Sequence, residues 1–342
     1  MDIGAVSLGS VVIGYTDLIR LILFSVFIWL SIEDIRSRRI SIQPLKYISI
    51  IGLLLMAIDI VAVWGTFEWG YTILQIGISI GVFLPLVFAL AFFGLFGGGD
   101  FKAMAALILL FPMYPRVDVS GVVLPVYDSV THIFILATLS NAVLISLIFP
   151  ISILCINILY RNFDPRMILG IKVDSESTDS IHGTLLHLSD RKPTAGLDLD
   201  VLRMYLQWLN TPIDEIRLNY TKYRNWNENS ETYEDSITDG ATTTQYPKKS
   251  SDLNDGLDIS ERNITSDEEI HDDLWGAESF ITELEYTYGS TITDVRNGLD
   301  EIVTNDSVWI SPGIPFVVPL TIGAIISMIY GNMLMFIIEI LI

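Results

Sequence analysis

Residues 14–40 read GYTDLIRLILFSVFIWLSIEDIRSRRI. Roughly 20 mostly apolar residues cross a bilayer as a helix, and residues 14–33 supply them. Arg36, Arg38 and Arg39 follow as a basic stop. The block does not read as a removable signal peptide. Met1 to Tyr15 holds no Lys or Arg, and no small-residue cleavage pattern follows the apolar run. It therefore reads as a first membrane span with charged residues packed against its end.

Working outward, similar blocks lie at about 45–64, 71–95, 101–114 and 131–159, and a last one at about 314–341. The expected fold is an all-α polytopic membrane protein with six transmembrane helices. The fourth block is short for a span. It needs either extension by the Gly-rich stretch before it or shielding by its neighbours. Basic loops orient such a bundle. Arg36, Arg38, Arg39 and Lys46 lie between spans 1 and 2, Lys102 between spans 3 and 4, and Arg161, Arg166 and Lys172 after span 5. The alternate loops are poor in bases: 65–70 has none and 115–130 has only Arg116. This pattern places the N-terminus outside, with the loops at 34–46 and 97–102 and the region 161–310 in the cytoplasm.

Composition agrees with a segregated chain. Of 342 residues 51% are hydrophobic and mean hydropathy is +0.50, yet the formal net charge is −20. Residues 161–308 hold 30 acids and 13 bases, a net of −17, which leaves −3 for the rest. Three parts follow: 1–160 with spans 1–5, an acidic cytoplasmic insert at 161–308, and 309–342 as the sixth span. Inside the insert, Met167–Val173 and Gly183–Leu188 are β-like. Residues 197–209 carry leucines at helical spacing, Thr211-Pro212 reads as the start of a helix, and two helical patterns lie within 272–303. The insert is thus expected to be mixed α/β, with 223–265 a mobile polar stretch. A nucleic-acid partner is excluded by the missing basic surface, and a disulfide scaffold by a single cysteine, Cys155.

Charges beside apolar spans call for explanation. Asp34 follows span 1, and Asp100 ends the run Gly97-Gly98-Gly99-Asp100. The topology puts both at similar depth on the cytoplasmic side, though 66 positions separate them. Two carboxyls a few Å apart share a proton. One then activates water while the other protonates the substrate, the arrangement peptide hydrolysis needs. Which is base and which acid stays open. The glycines let the backbone turn sharply and let a substrate strand approach. Taken singly, Asp34 also reads as an interfacial charge beside its arginines, and the glycine run as an ordinary loop.

These residues resemble the archaeal preflagellin and prepilin peptidases, membrane peptidases of the Gly-x-Gly-Asp type. The resemblance rests on Asp34-Ile35-Arg36 with Arg38, Arg39 and Ile40, on Gly97-Gly98-Gly99-Asp100-Phe101-Lys102, and on Trp309 to Pro319 (WISPGIPFVVP), which is similar to the haloarchaeal branch. Fragments at 197–206 and 274–280 are also similar, whereas 223–265 has no recognisable counterpart. The resemblance implies Asp34 and Asp100 as the catalytic pair, Gly97, Gly99 and Lys102 as supporting motif residues, and no metal or other cofactor. It implies partners in the bilayer: archaellin and pilin precursors with a short basic leader before a hydrophobic helix. The acidity of 161–308 reads either as an attractor of basic leaders or as adaptation to a salty cytoplasm.

Other residues read more simply. Lys102 either orients a carboxylate or snorkels. Glu33 points about 100° away from Asp34 on the helix. Asp59 reads as interfacial, and Cys155 as packing. His182 and His187 lack a third metal ligand nearby, and Pro312 and Pro315 shape the start of the last span. Two other functions fit the same sequence: a non-catalytic scaffold or receptor acting through the acidic insert, and a peptidase of this type with different membrane substrates.

Overall fold

The computed structural model describes residues 5–38, 40–93, 97–127, 132–190, 192–226, 232–233, 237–240, 242, 273–284, 286–313 and 315–341. The chain divides into two compact units, Met1–Pro150 with Ile314–Ile342, and Ile151–Gly313. The first opens with strands β1 (Ala5–Leu8) and β2 (Val11–Gly14) and continues into helices α1 (Tyr15–Ser37) and α2 (Ile42–Ala62). Helices α3 (Trp69–Ile78) and α4 (Leu84–Phe92) run on from one another through a π-helical turn at Ser79–Phe83. Next come α5 (Gly98–Leu110), strands β3 (Val117–Val119) and β4 (Val122–Leu124), and helix α6 (Phe134–Ser146), followed by α7 (Ile148–Leu159), which falls mostly in the second unit.

Three helical stretches among the described residues are long and apolar enough to cross a membrane: Ile42–Ala62, Trp69–Phe92 and Phe134–Leu159. Their outward faces carry Ile50, Leu54, Leu74, Phe88 and Phe92, all exposed. Water would not tolerate so continuous an apolar surface, and lipid would. Six spans were expected, and α5, the fourth, is the informative case. At 13 residues it reaches only about 20 Å. Its Ala103, Met104, Ala106, Leu107, Ile108 and Leu110 are nonetheless all buried, so neighbouring helices shield it. Gly52 of α2 makes the approach close. A Cβ there would lie 2.6 Å from the Leu109 carbonyl oxygen.

The all-α expectation for this part needs correction. The N-terminal flank is a hairpin that joins β3 and β4 in an antiparallel sheet of order β1-β2-β3-β4. Its strands are three or four residues long, rich in Val and Ile, and closed by Gly9-Ser10 and Ser120-Gly121. Such short β-branched runs vanish inside windows sized for membrane helices.

The second unit holds strands β5 (Ile171–Asp174), β6 (Thr184–Ser189) and β7 (Lys192–Asp198), then α8 (Leu199–Trp208), α9 (Ile213–Leu218) and α10 (Tyr220–Arg224). Helices α11 (Ala277–Glu283) and α12 (Ile292–Thr304) and strand β8 (Ser307–Ser311) complete it. The sheet is antiparallel in the order β5-β8-β6-β7. Its core gathers Leu185, Leu202, Tyr205, Trp208, Phe280 and Ile302. Helix α8 begins on Asp198, whose side chain accepts from the Asp200 N–H, and α12 on a capping box of Thr291 and Asp294. Pro212 precedes α9 as its cap and is not its first residue. Most of 223–265, expected to be mobile, lies outside the described residues. At its start, however, Trp226 packs on Trp208 with ring centroids 5.7 Å apart.

The chain returns to the first unit as α13 (Val317–Ile329) and α14 (Met333–Leu341). The last apolar block is therefore two helices and not one span. Gly331 has φ 106, which breaks the helix, and Asn332 caps α14 by accepting from the Met335 N–H at 3.1 Å. Buried Asn141 holds the break, donating to Ser327 and to the Gly331 carbonyl at 2.9 Å each and accepting from the Met333 N–H at 3.0 Å. Trp309–Ser311, expected to open the last span, belong to β8 of the other unit, where the Arg166 guanidinium lies 5.4 Å over the Trp309 ring. Cys155, expected to pack, is exposed on α7.

Candidate active site

On α1 the buried residues are Arg20, Phe24, Phe27, Leu30, Ser31 and Asp34. Their spacing of three and four is the inward stripe of a helix, and Asp34 is its last member, beyond the apolar stretch and only 5% exposed. The stripe packs on α13. Ser31 donates to Thr321 at 2.9 Å, and one turn further the Val317 N–H donates to Oδ2 of Asp34 at 3.0 Å. Val317 is the first residue of α13, so Asp34 receives one of the free N–H groups at that helix's positive end.

Glu33 goes elsewhere, as its place on the helix requires. Its carboxylate accepts from the Ser41 N–H at 3.1 Å and from the Ser41 hydroxyl at 2.6 Å, closing the turn between α1 and α2.

Asp100 is the third residue of α5, whose cap is Gly97. Its carboxylate reaches back to the Gly97 N–H, half of a capping box. Both carboxylates are thus held by backbone N–H groups at the starts of different helices. The roles expected of the glycines change. Gly97 has φ −64 and ψ 153, an ordinary extended conformation, so the turn does not need glycine's freedom. Gly97 instead leaves room, because a Cβ there would sit 3.2 Å from Oδ2 of Asp100. A Cβ on Gly99 would lie 3.4 Å from Cδ1 of Ile40, whereas one on Gly98 meets nothing within 4 Å. Lys102 is exposed and makes no hydrogen bond or ion pair with another described residue.

The electrostatics join the two carboxyls. Asp100 is pushed up to about 6, first by burial and then by the charge of Asp34, with the Gly97 N–H opposing. Burial also raises Asp34, but the Val317 N–H and the Arg38 guanidinium favour its charged form. One carboxyl is thus raised, near another whose charged form is favoured by one N–H and by one positive charge.

At the far end of α1 is a feature the sequence reading overlooked. Arg20 is 2% exposed, donates to the Leu110 carbonyl at 2.9 Å and to Asp17 at 3.1 Å, and pairs with Asp59. Asp59 is thus one partner of a buried arginine and not a plain interfacial charge. A cavity of about 630 Å³ opens beside this triad, lined also by Thr72 and Arg116.

Residues 21–159 match the type IV leader peptidase family, and residues 246–333 match the archaeal peptidase A24 C-terminus, type II. The second match begins inside 223–265, a stretch for which the sequence alone suggested no counterpart. No curated protein and no solved structure matches the chain. Asp34 and Asp100 fall in the first match and Val317 in the second, so the contact at 3.0 Å links the two matched parts. Together the two matches support an archaeal prepilin and preflagellin peptidase of the type IV leader peptidase kind.

Proposed function

We propose that the protein is a membrane aspartic endopeptidase that removes a short basic leader from archaellin and type IV pilin-like precursors at the cytoplasmic membrane face. The observation that supports this reading is buried Asp34, bonded to the first N–H of α13, whose charge helps raise half-buried Asp100 at the start of α5. In the resting pair Asp100 keeps the shared proton and Asp34 is ionised. Asp34 takes a proton from a water, the water oxygen bonds to the scissile carbonyl carbon, and Asp100 protonates the carbonyl oxygen. The diol then collapses. The C–N bond breaks, Asp34 returns its proton to the nitrogen, and a diol hydroxyl returns one to Asp100. A carboxyl and an amine leave, and the pair is restored.

The membrane face follows from charge. Arg36, Arg38, Arg39, Lys46 and Lys102 cluster at the helix ends and turns around Asp34 and Asp100, and basic flanks of this kind stay in the cytoplasm. A precursor with a basic leader and an apolar helix presents its cleavage point at that same interface. Leader retention in a strain lacking the gene, scored precursor by precursor, tests the substrates. Archaellins and pilins that mature normally there would refute the assignment.

A further inference from the structure

Helix α7 is apolar to its end, and the apolar surface does not stop there. Ile151 and Ile158 are exposed on the helix, which closes the stretch Phe134–Leu159, long and apolar enough to cross a bilayer. Beyond it, Tyr160, Phe163, Ile168 and Leu169 are each at least 50% exposed. Leu169 lies ten positions past Leu159, so an extended chain could carry it about 33 Å away. The chain folds back instead. Arg161 turns it with φ 57, and the buried Asn157 amide of α7 donates to the Met167 carbonyl at 2.8 Å and to the Gly170 carbonyl at 2.7 Å. The same turn is fastened to the sheet of the second unit. Arg166 donates to the Leu186 carbonyl at 3.1 Å, and a Cβ on Gly170 would lie 2.9 Å from the Ile310 carbonyl oxygen. Four large apolar side chains thus stand outward on a firmly held turn, and water is a poor neighbour for them.

Charge sets this turn apart from the rest of the unit. Residues 161–172 hold Arg161, Arg166 and Lys172 against Asp164, a net of +2, whereas 173–308 hold 10 bases and 29 acids, a net of −19. Arg166 is paired with Asp164, and Arg161 and Lys172 are exposed. We propose that residues 160–169 form a membrane-inserted turn. Tyr160, Phe163, Ile168 and Leu169 enter the boundary between headgroups and acyl chains, and Arg161 and Lys172 meet lipid phosphates. Lipid is the occupant that fits, because the patch continues the apolar surface of a helix long enough to span and its bases match the phosphates found at that level. Held to α7 by Asn157 and to the sheet by Arg166, the turn sets the height at which the acidic unit stands on the bilayer.

The test uses the full chain in lipid nanodiscs. A nitroxide on Cys155, the single cysteine and exposed on α7, gives the lipid reference. Phe163→Cys, Leu169→Cys and Leu218→Cys, each with Cys155→Ser, carry the same label. Leu218, exposed on α9, gives the aqueous reference. Labels at 163 and 169 should be relaxed more by dissolved oxygen than by a water-soluble nickel chelate, as at 155, and the order should reverse at 218. A label at 163 or 169 relaxed mainly by nickel, or one at 218 relaxed like that at 155, overturns the proposal. So do labels at 163 and 169 that neither agent reaches, since protein and not lipid would then cover the turn. Tyr160→Cys replaces either position if thermal unfolding shows that a label there destabilises the chain. A label at 155 relaxed mainly by nickel overturns the membrane reading of α7 and this assignment together.

Discussion

The Val317 N–H donates to Oδ2 of Asp34 across 3.0 Å, although 283 positions separate the two residues. The contact places the end of α1 against the start of α13, and a polar pair one turn below, Ser31 and Thr321 at 2.9 Å, keeps the two helices in register. An N–H that favours the carboxylate form makes Asp34 the member of the pair suited to accept a proton.

Thr321→Val tests that register. The change keeps the volume and frees the Ser31 proton for the Phe27 carbonyl, 2.8 Å away. Loss of one buried interhelical hydrogen bond should cost about 1 kcal/mol. If the register positions Asp34, kcat/KM should fall about tenfold, since small misplacements of reacting groups are costly. Cleavage and thermal unfolding measured on the same preparations separate the two effects.

The glycine run makes a paired prediction. Gly97→Ala pushes a methyl to 3.2 Å from Oδ2 of Asp100, so the carboxylate must shift by a few tenths of an ångström. Cleavage should fall about fivefold or more. Gly98→Ala meets nothing within 4 Å and lies at the first position of α5. It should leave cleavage within about twofold and stabilise the helix by about 0.5–1 kcal/mol. Steady-state kinetics on the two variants would show whether crowding, and not the presence of a glycine as such, is what matters.

The raised Asp100 fixes a sign for pH. Its proton binds more tightly folded, at about 6, than unfolded, at 3.8. The stability it lends is complete below about 3.8 and is lost as pH rises through about 6. Asp100→Asn should therefore raise Tm at pH 8, by about 1–3 kcal/mol of stability, and leave it nearly unchanged at pH 4. Cleavage by the wild type should decline above about pH 6 as Asp100 gives up its proton. Unfolding curves and a pH–rate profile check both.

Arg20 should matter for stability and not for chemistry. Arg20→Met leaves Asp17 and Asp59 buried without their cation, a loss of about 3–5 kcal/mol. Removing one of the two uncompensated negative charges with Asp59→Asn in the same chain should recover part of it. Thermal unfolding of the single and double variants would reveal the coupling.

Much of the membrane part was legible because long apolar runs have few other uses. The blocks at 45–64, 71–95 and 131–159 became the three helical stretches long enough to span. Asp34 could be picked out because it is a charge at the end of an apolar span, and Asp100 because it ends a glycine run. What was missed depended on partners far along the chain. Nothing near Asp34 announces Val317. Strands β1 and β3 are too short to show a period of their own. The break at Gly331 was written in a glycine and a capping Asn332, but the apolar residues on both sides masked it. Arg20 was overlooked because an apolar block was read as a unit, with its one cation left uncounted. Unit two was easier at α8 and α12, where caps and periodicity agree, than at β7 and β8, whose partners lie elsewhere in the sheet.

The central claim is that Asp34 and Asp100 perform hydrolysis together, without serine or metal. It is tested most directly by presenting an archaellin or pilin precursor to Asp34→Asn and Asp100→Asn proteins at matched expression, with chelator and a serine-reactive inhibitor on the wild type. Each variant should leave the leader in place, a loss of at least about 10³-fold, and the wild type should cut in both reagents. Normal cleavage by either variant, or activity abolished by chelator and restored by zinc, would contradict the account.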